Sequence, residues 1–363
     1  MSDVTIPLFS DPLSPAAYRR RAVRSQLEYV FDDVEFRYRC VVSVPEATDD
    51  VFSEVADELS DLRSASTMPV ADSLTAEDLP SSWAACEAIA AARAYGGADA
   101  AFALARALAD RTFAAGEPVN APGAIHEAAT AAGVDAERVV DAVGSRRAAA
   151  AVGRDLEGAR QTVSDLKEFE VRGTPETAPL RPRSYLDDVN DGTDTNADTE
   201  DDSDTNADTD ADADTDDETD TNDDADEGSE PTTNEVFRAP VYRVDGPART
   251  IVVDGAAGFD AVRDAVRTHD PELGDLGDTT GTQSRNVMQQ YGTAPMNAES
   301  FSPEDHGERA VAVLSTLKSA FTPEIRACLD VTEETCRITL HRLKRDGDVR
   351  QLTTGSWARV PEE

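Results

Sequence analysis

One stretch constrains this chain more than any other. From Asp187 to Glu230, 44 residues carry 22 Asp or Glu and no Lys or Arg, and Asp-Thr-Asn-Ala-Asp-Thr occurs at 194–199 and again at 204–209. Such a segment has too little apolar surface to offset its ordering entropy and the repulsion among its carboxylates. It is expected to be a disordered, extended tether inserted between folded blocks. Its alternating aspartates resemble calcium-binding loops, but the turn glycine and closing glutamate of an EF-hand are missing, so no metal site is expected.

The tract accounts for only part of the acidity. The whole chain has 73 acidic against 34 basic residues, a formal charge of −39, and its lysines are only Lys167, Lys318 and Lys344. In concentrated salt the Debye length falls to a few ångströms and such self-repulsion is screened, so the balance reads as halophilic adaptation. A protein that binds or mimics a polycation is the rival reading. With 363 residues the chain is long enough for two folded units. It has no apolar run of about twenty residues and no signal-peptide pattern at its start, so no membrane association and a cytoplasmic location are expected. Cys40, Cys86, Cys328 and Cys336 form neither a CxxC nor a zinc-ligand spacing, and they read as buried, reduced thiols.

The elements follow from hydrophobic periodicity. Val4 to Phe9 reads as a buried strand, Ala16 to Val30 as a helix and Glu35 to Val42 as a second strand, which together make a β-α-β start. Residues 81–167 turn helical, with breaks at Gly96-Gly97, Gly116-Glu117-Pro118 and Gly133. Beyond the tract, Val236 to Val244 and Arg249 to Val253 read as paired strands, followed by a helix from Phe259 to His269. The last part, 304–363, reads as three helices and a hairpin, the pattern of a winged helix-turn-helix, with Thr322-Pro323-Glu324 and Thr332-Glu333-Glu334 as helix starts.

This order of elements carries a resemblance. Phe9-Ser10-Asp11-Pro12-Leu13-Ser14-Pro15-Ala16-Ala17-Tyr18 resembles the active-site turn of DsbA-like thioredoxin folds. Ser66-Thr67-Met68-Pro69 and Pro80 to Cys86 resemble the segments that open their helical domain, and Val171-Arg172-Gly173-Thr174-Pro175 resembles their cis-proline loop. The relatives of this kind are FrnE-type DsbA proteins and the thioredoxin-like adaptor that delivers Spx for proteolysis. The resemblance implies an α/β thioredoxin-like sheet with a large helical insertion. It assigns 1–186 and 231–273 to that domain, 187–230 to the acidic insertion and 274–303 to a linker.

The chain departs from the family where chemistry is expected. Ser14 and Ala17 stand at the positions of the two cysteines, and a hydroxyl with a methyl cannot form or resolve a mixed disulfide. No catalytic residue and no cofactor are expected on this reading; Ser14 is the catalytic candidate of the alternative, a glutathione-type isomerase or transferase. Its rival role is simply to cap a helix, with Pro15 at the first helical position. Ser14, Thr174 and Pro175 are the candidate peptide- or ligand-binding residues, the proline loop offering backbone groups to an extended client. A cysteine pair rearranged elsewhere in the chain would keep disulfide chemistry open.

In the last module Arg337, Arg342, Lys344 and Arg345 lie on or near the third helix, where they would dock nucleic acid or a protein partner. Residues 305–360 hold nine basic and eight acidic side chains, a near balance that favours a protein partner over DNA. His341 reads as a surface residue of that helix, and Cys328 and Cys336 as packing residues with a redox pair as the alternative. The whole reads as a redox-inactive adaptor or regulator; an enzyme and a DNA-binding regulator with a thioredoxin-like sensor are the alternatives. Deleting 187–230 is expected to leave the melting temperature in molar potassium chloride unchanged and to raise it in low salt, where 22 repelling charges are removed. Thermal denaturation of both forms at the two salt levels checks this, and a large loss in molar salt would mean that the tract packs.

Overall fold

The computed structural model describes residues 3–31, 34–42, 49–79, 81–119, 122–165, 171–172, 240–271, 273 and 303–361. The expected acidic tether, the 274–302 part of the linker, and Thr174 with Pro175 lie outside the described residues.

Strand β1 (Thr5–Ser10) is buried from Ile6 onward, as a strand flanked on both edges must be. Helices α1 (Pro15–Arg19) and α2 (Arg21–Val30) return the chain to β2 (Glu35–Cys40), which pairs parallel with β1, Ser10 opposite Cys40. Phe36, Tyr38 and Cys40 of β2 are buried while the intervening residues face out, the alternation of a sheet with one covered face. After a short edge strand β3 (Val171–Arg172), the antiparallel pair β4 (Val241–Asp245) and β5 (Thr250–Asp254) completes a sheet of order β2-β1-β4-β5-β3. Helix α8 (Gly258–His269) follows. A parallel β-α-β, then an antiparallel hairpin beside β1 and a closing helix, is the expected thioredoxin-like arrangement.

Between β2 and β3 come α3 (Asp49–Ala65), α4 (Trp83–Ala109), α5 (Pro122–Ala131), α6 (Ala136–Ala142) and α7 (Arg146–Asp165). Helix α3 is an addition to the elements read from the sequence. The break read at Gly96-Gly97 is a kink within α4, where Gly97 adopts φ +81°. Helix α4 then widens into a π-helical turn over Asp110–Ala114. No helix among the described residues is long and apolar enough to cross a membrane.

The last block runs α9 (Pro303–Leu317), β6 (Ser319–Ala320), α10 (Thr322–Leu329), α11 (Glu333–Asp346), β7 (Val349–Gln351) and β8 (Trp357–Arg359), with an antiparallel sheet of order β6-β8-β7. Thr332 caps α11 as read, its hydroxyl accepting the Thr335 N–H at 3.2 Å. At α10 the cap differs from the reading: Phe321 is the capping residue, and the Glu324 carboxylate reaches back to accept its N–H at 2.8 Å. The Thr322 hydroxyl instead accepts the indole N–H of Trp357 at 3.1 Å, which ties α10 to β8.

Glu324 also joins the two folded units. It is 0% exposed. Its Oε1 accepts from Arg21 Nε at 2.9 Å, from Ser25 Oγ at 2.6 Å and from Arg106 Nη1 at 2.6 Å, side chains supplied by α2 and α4. Arg21 also pairs with Asp110 in the π-helical turn, and Arg106 donates to the Ser319 carbonyl at 3.1 Å. Beside this cluster Phe321 enters an apolar group with Tyr18 and Phe113, its ring 5.2 Å from the Arg21 guanidinium carbon.

Burial alone would raise the Glu324 carboxyl, but Arg21 and Arg106, with the Ser25 hydroxyl and the Phe321 N–H, hold it at about 2. A value held below the ordinary 4.5 contributes stability that is complete above that pH and is lost as pH falls toward about 2. Asp110, raised by burial against the pull of Arg21, acts in the opposite sense and offsets part of that loss. Glu324→Ala is expected to cost about 3–5 kcal/mol, since it leaves two buried guanidinium groups short of a counter-charge. Glu324→Gln should flatten the fall in urea-unfolding stability on acidification through that window, and an unchanged acid profile in the variant would remove Glu324 from this role.

Candidate functional site

The end of the sheet where β1 and β2 finish is the place to look for thioredoxin-type chemistry. Asp11, immediately after β1, is buried; its Oδ1 accepts the Leu13 N–H and its Oδ2 accepts the Ser82 hydroxyl, each at 2.7 Å. These bonds fix the turn to the residue that starts α4. Ser14 then caps α1: its Oγ accepts the Ala17 N–H at 3.2 Å, Pro15 follows in the first turn, and the residue is only 6% exposed. Tyr18 stacks on Phe113 with ring centroids 4.5 Å apart and donates its hydroxyl to the Pro69 carbonyl at 2.9 Å, so the Ser66–Pro69 segment packs against this helix.

The structure gathers more around the turn than the sequence indicated. Cys40 ends β2 opposite Ser10, and its thiol lies 3.5 Å from the carbonyl of Cys86 in the first turn of α4, while the Cys86 thiol lies 3.8 Å from the Val41 carbonyl. The two cysteines far apart in sequence are thus neighbours. Both are free thiols with 0% exposure, and burial, followed by the Cys40 thiol beside it, pushes the Cys86 thiol well above its ordinary range. A nucleophilic thiolate needs exposure and positive surroundings; these two thiols have the opposite setting.

Pro240 was not among the sequence candidates. It stands directly before β4, and since Val241 pairs with Phe9, it lies beside the end of β1. Its carbonyl accepts the Gly255 N–H at 3.0 Å, and any Cβ on Gly255 would come within 2.3 Å of that oxygen, so glycine is required there. A proline immediately ahead of an apolar strand, Pro240-Val241-Tyr242-Arg243-Val244, was the available signal.

A second candidate surface lies on α11. Cys336, Thr339, Leu340 and Leu343 form its buried face. On the opposite side Arg337, Ile338, His341, Arg342 and Arg345 line one shallow concavity. Of the basic residues singled out from the sequence, the structure brings Arg337, Arg342 and Arg345 together here. It turns Lys344 toward the hairpin, with its ammonium 5.8 Å from the centre of the Trp357 ring. His341 belongs to the concavity and meets the same ring edge-on at 5.6 Å. Cys328 and Cys336 are buried free thiols of the module core, and the Cys336 thiol contacts the Thr322 carbonyl at 3.7 Å.

No family model matches the chain, and no curated protein does. Among solved structures it is similar to a Nitrosomonas europaea protein assigned to the protein disulfide isomerases, at 9% identity over 73% of this chain and 96% of that one, with a TM-score of 0.44. It is also similar to a Streptomyces coelicolor protein assigned to the DsbA oxidoreductases, at 20% identity over 44% of this chain and 76% of that one, with a TM-score of 0.33. The thioredoxin-like assignment stands on strand order and register; the turn carries the fold's geometry without its thiols.

The unmodified protein is therefore expected to give no dithiol turnover in an insulin-reduction assay, and Ser14→Cys with Ala17→Cys to introduce a reactive pair at the start of α1. Turnover by the unmodified protein that disappears on replacing Cys40 or Cys86 would instead make the buried pair the working one.

Proposed function

We propose that this chain is a non-enzymatic regulator in which a thioredoxin-like scaffold without exchangeable thiols carries a winged helix-turn-helix that binds duplex DNA through α11. The observation that carries the reading is the solvent-facing stripe of α11, where three arginines converge on one concavity beside a two-strand hairpin. Three residues separate α10 from α11, the spacing of a helix-turn-helix, and the later helix of such a pair is the one that enters the major groove.

Ion pairing bears on the charge of this face from both sides: Arg345 is itself paired with Asp346 at 3.2 Å. Of the eight acidic side chains in 305–360, Glu324 is spent internally on Arg21 and Arg106 and adds nothing to the surface field. The scaffold's part is to hold the module, through Glu324 and Phe321, with α11 open to solvent. A protein-docking adaptor is the second reading, favoured by the remaining near balance of charge across the module as a whole.

Charge reversal at Arg337, Arg342 and Arg345 in the full-length protein should abolish binding to genomic fragments in a titration run at several potassium chloride concentrations. With only three arginines to neutralise phosphates the wild-type salt slope should be shallow, and at high salt the affinity must rest on shape and base contacts. Binding undetectable at every salt level, in a protein whose arginine face still captures a protein partner, would leave the adaptor in its place.

A further inference from the structure

The large apolar side chains exposed among the described residues are Tyr95, 47% exposed, and Ile338, 61% exposed. Ile338 is the conspicuous one. It lines the concavity on α11, with Arg337 beside it and His341, Arg342 and Arg345 on the following turns. A β-branched apolar residue on the wet face of a helix gains nothing from burial in the free protein and has weaker helix propensity than the charged residues around it. A partner that covers the basic face of α11 would bury it.

The chemistry of the surroundings limits what that can be. A partner that meets three arginines must be rich in anionic groups, and one that also meets Ile338 must offer an apolar spot a few ångströms across among polar edges. The major groove of duplex DNA has both: phosphates on its walls and, on its floor, the C5-methyl group of thymine as its apolar feature. Geometry is compatible with this. At 1.5 Å rise per residue Arg345 lies about 10 Å along the axis from Ile338, close to the roughly 12 Å width of the groove, so one can reach the wall while the other faces the floor.

We propose that Ile338 is a specificity-determining residue that reads thymine through its methyl group, with the arginines of the same face holding the helix in the groove. This rests on the DNA-binding reading of α11, and its test separates the two. The full-length protein is used to select duplexes from a random-sequence library, and each thymine common to the selected sites is then replaced by deoxyuridine, which removes only the methyl group. At one position the replacement should weaken wild-type binding about four-fold, the scale of one methyl group returned to water. Ile338→Ala should bind the thymine and uracil duplexes equally, and Ile338→Val should keep part of the preference. Because Ile338 is exposed, its variants should melt with the wild type, so a lost preference reports recognition and not unfolding.

Wild-type indifference to uracil at every position, or a thymine preference that survives Ile338→Ala, would overturn the assignment while leaving DNA binding intact. Failure of the wild-type protein to select any duplex, from low to molar potassium chloride, would overturn the DNA reading and this inference with it.

Discussion

The architecture turns on one buried carboxylate. Glu324 starts α10, accepts the N–H of its own cap residue, and is held by two arginines and a serine from the other folded unit. Replacing such a cluster by well-packed apolar residues is often neutral or better for stability, so its value lies elsewhere. Directional bonds to a single oxygen admit one arrangement of α10 against α2 and α4, whereas an apolar contact would admit several. The Phe321 ring, seated beside Tyr18 and Phe113, supplies apolar contact at the same place, and the ionic cluster sets its orientation. The π-helical turn follows from the same demand, since it is the segment that presents Asp110 to the far side of Arg21.

The same logic explains the turn after β1. In a working oxidoreductase the first residues of the helix must be accessible and the thiol stabilised as an anion by the helix terminus. Here the helix start is closed by its own chain. The Ser14 hydroxyl is engaged by the Ala17 N–H, Asp11 by Leu13 and Ser82, and the Cys40 and Cys86 thiols are sealed beneath the turn. What the fold retains is a well-ordered junction of β1, α1, α4 and Pro240. A turn whose polar groups are satisfied internally can be packed as a core, and buried thiols serve there as small apolar groups.

Local patterns carried most of the fold in the sequence, and contacts between distant residues did not. The alternation in Glu35–Cys40 and the Thr332 cap were legible because each depends on a few adjacent residues. Helix α3 was not, since its apolar positions are interleaved with the acidic residues that cover this chain everywhere and so carry little contrast. Glu324 reads from sequence as a capping residue and nothing more; its arginine partners lie 303 and 218 positions away, and no local pattern encodes them. The neighbourhood of Cys40 and Cys86, and the position of Pro240 next to the end of β1, were hidden for the same reason. On α11 the arginines were legible as charges, whereas Ile338 gained meaning only when the other apolar side chains of the helix, Cys336, Leu340 and Leu343, proved to be buried and it did not.

Charge placement links these parts. A chain with a formal charge of −39 repels any polyanion at long range, and screening by salt removes that repulsion without creating an attraction. A DNA-binding face on such a chain cannot rely on a broad positive field. It has to concentrate its arginines on one helix and obtain discrimination from short-range contacts, because only those survive at high ionic strength. Placing an apolar residue among the arginines is consistent with that requirement, since methyl contact does not weaken as salt rises and is strengthened by salts excluded from protein surfaces. Fixing the module through Glu324 contributes as well: short-range contacts depend steeply on orientation, and the buried carboxylate determines which way α11 faces.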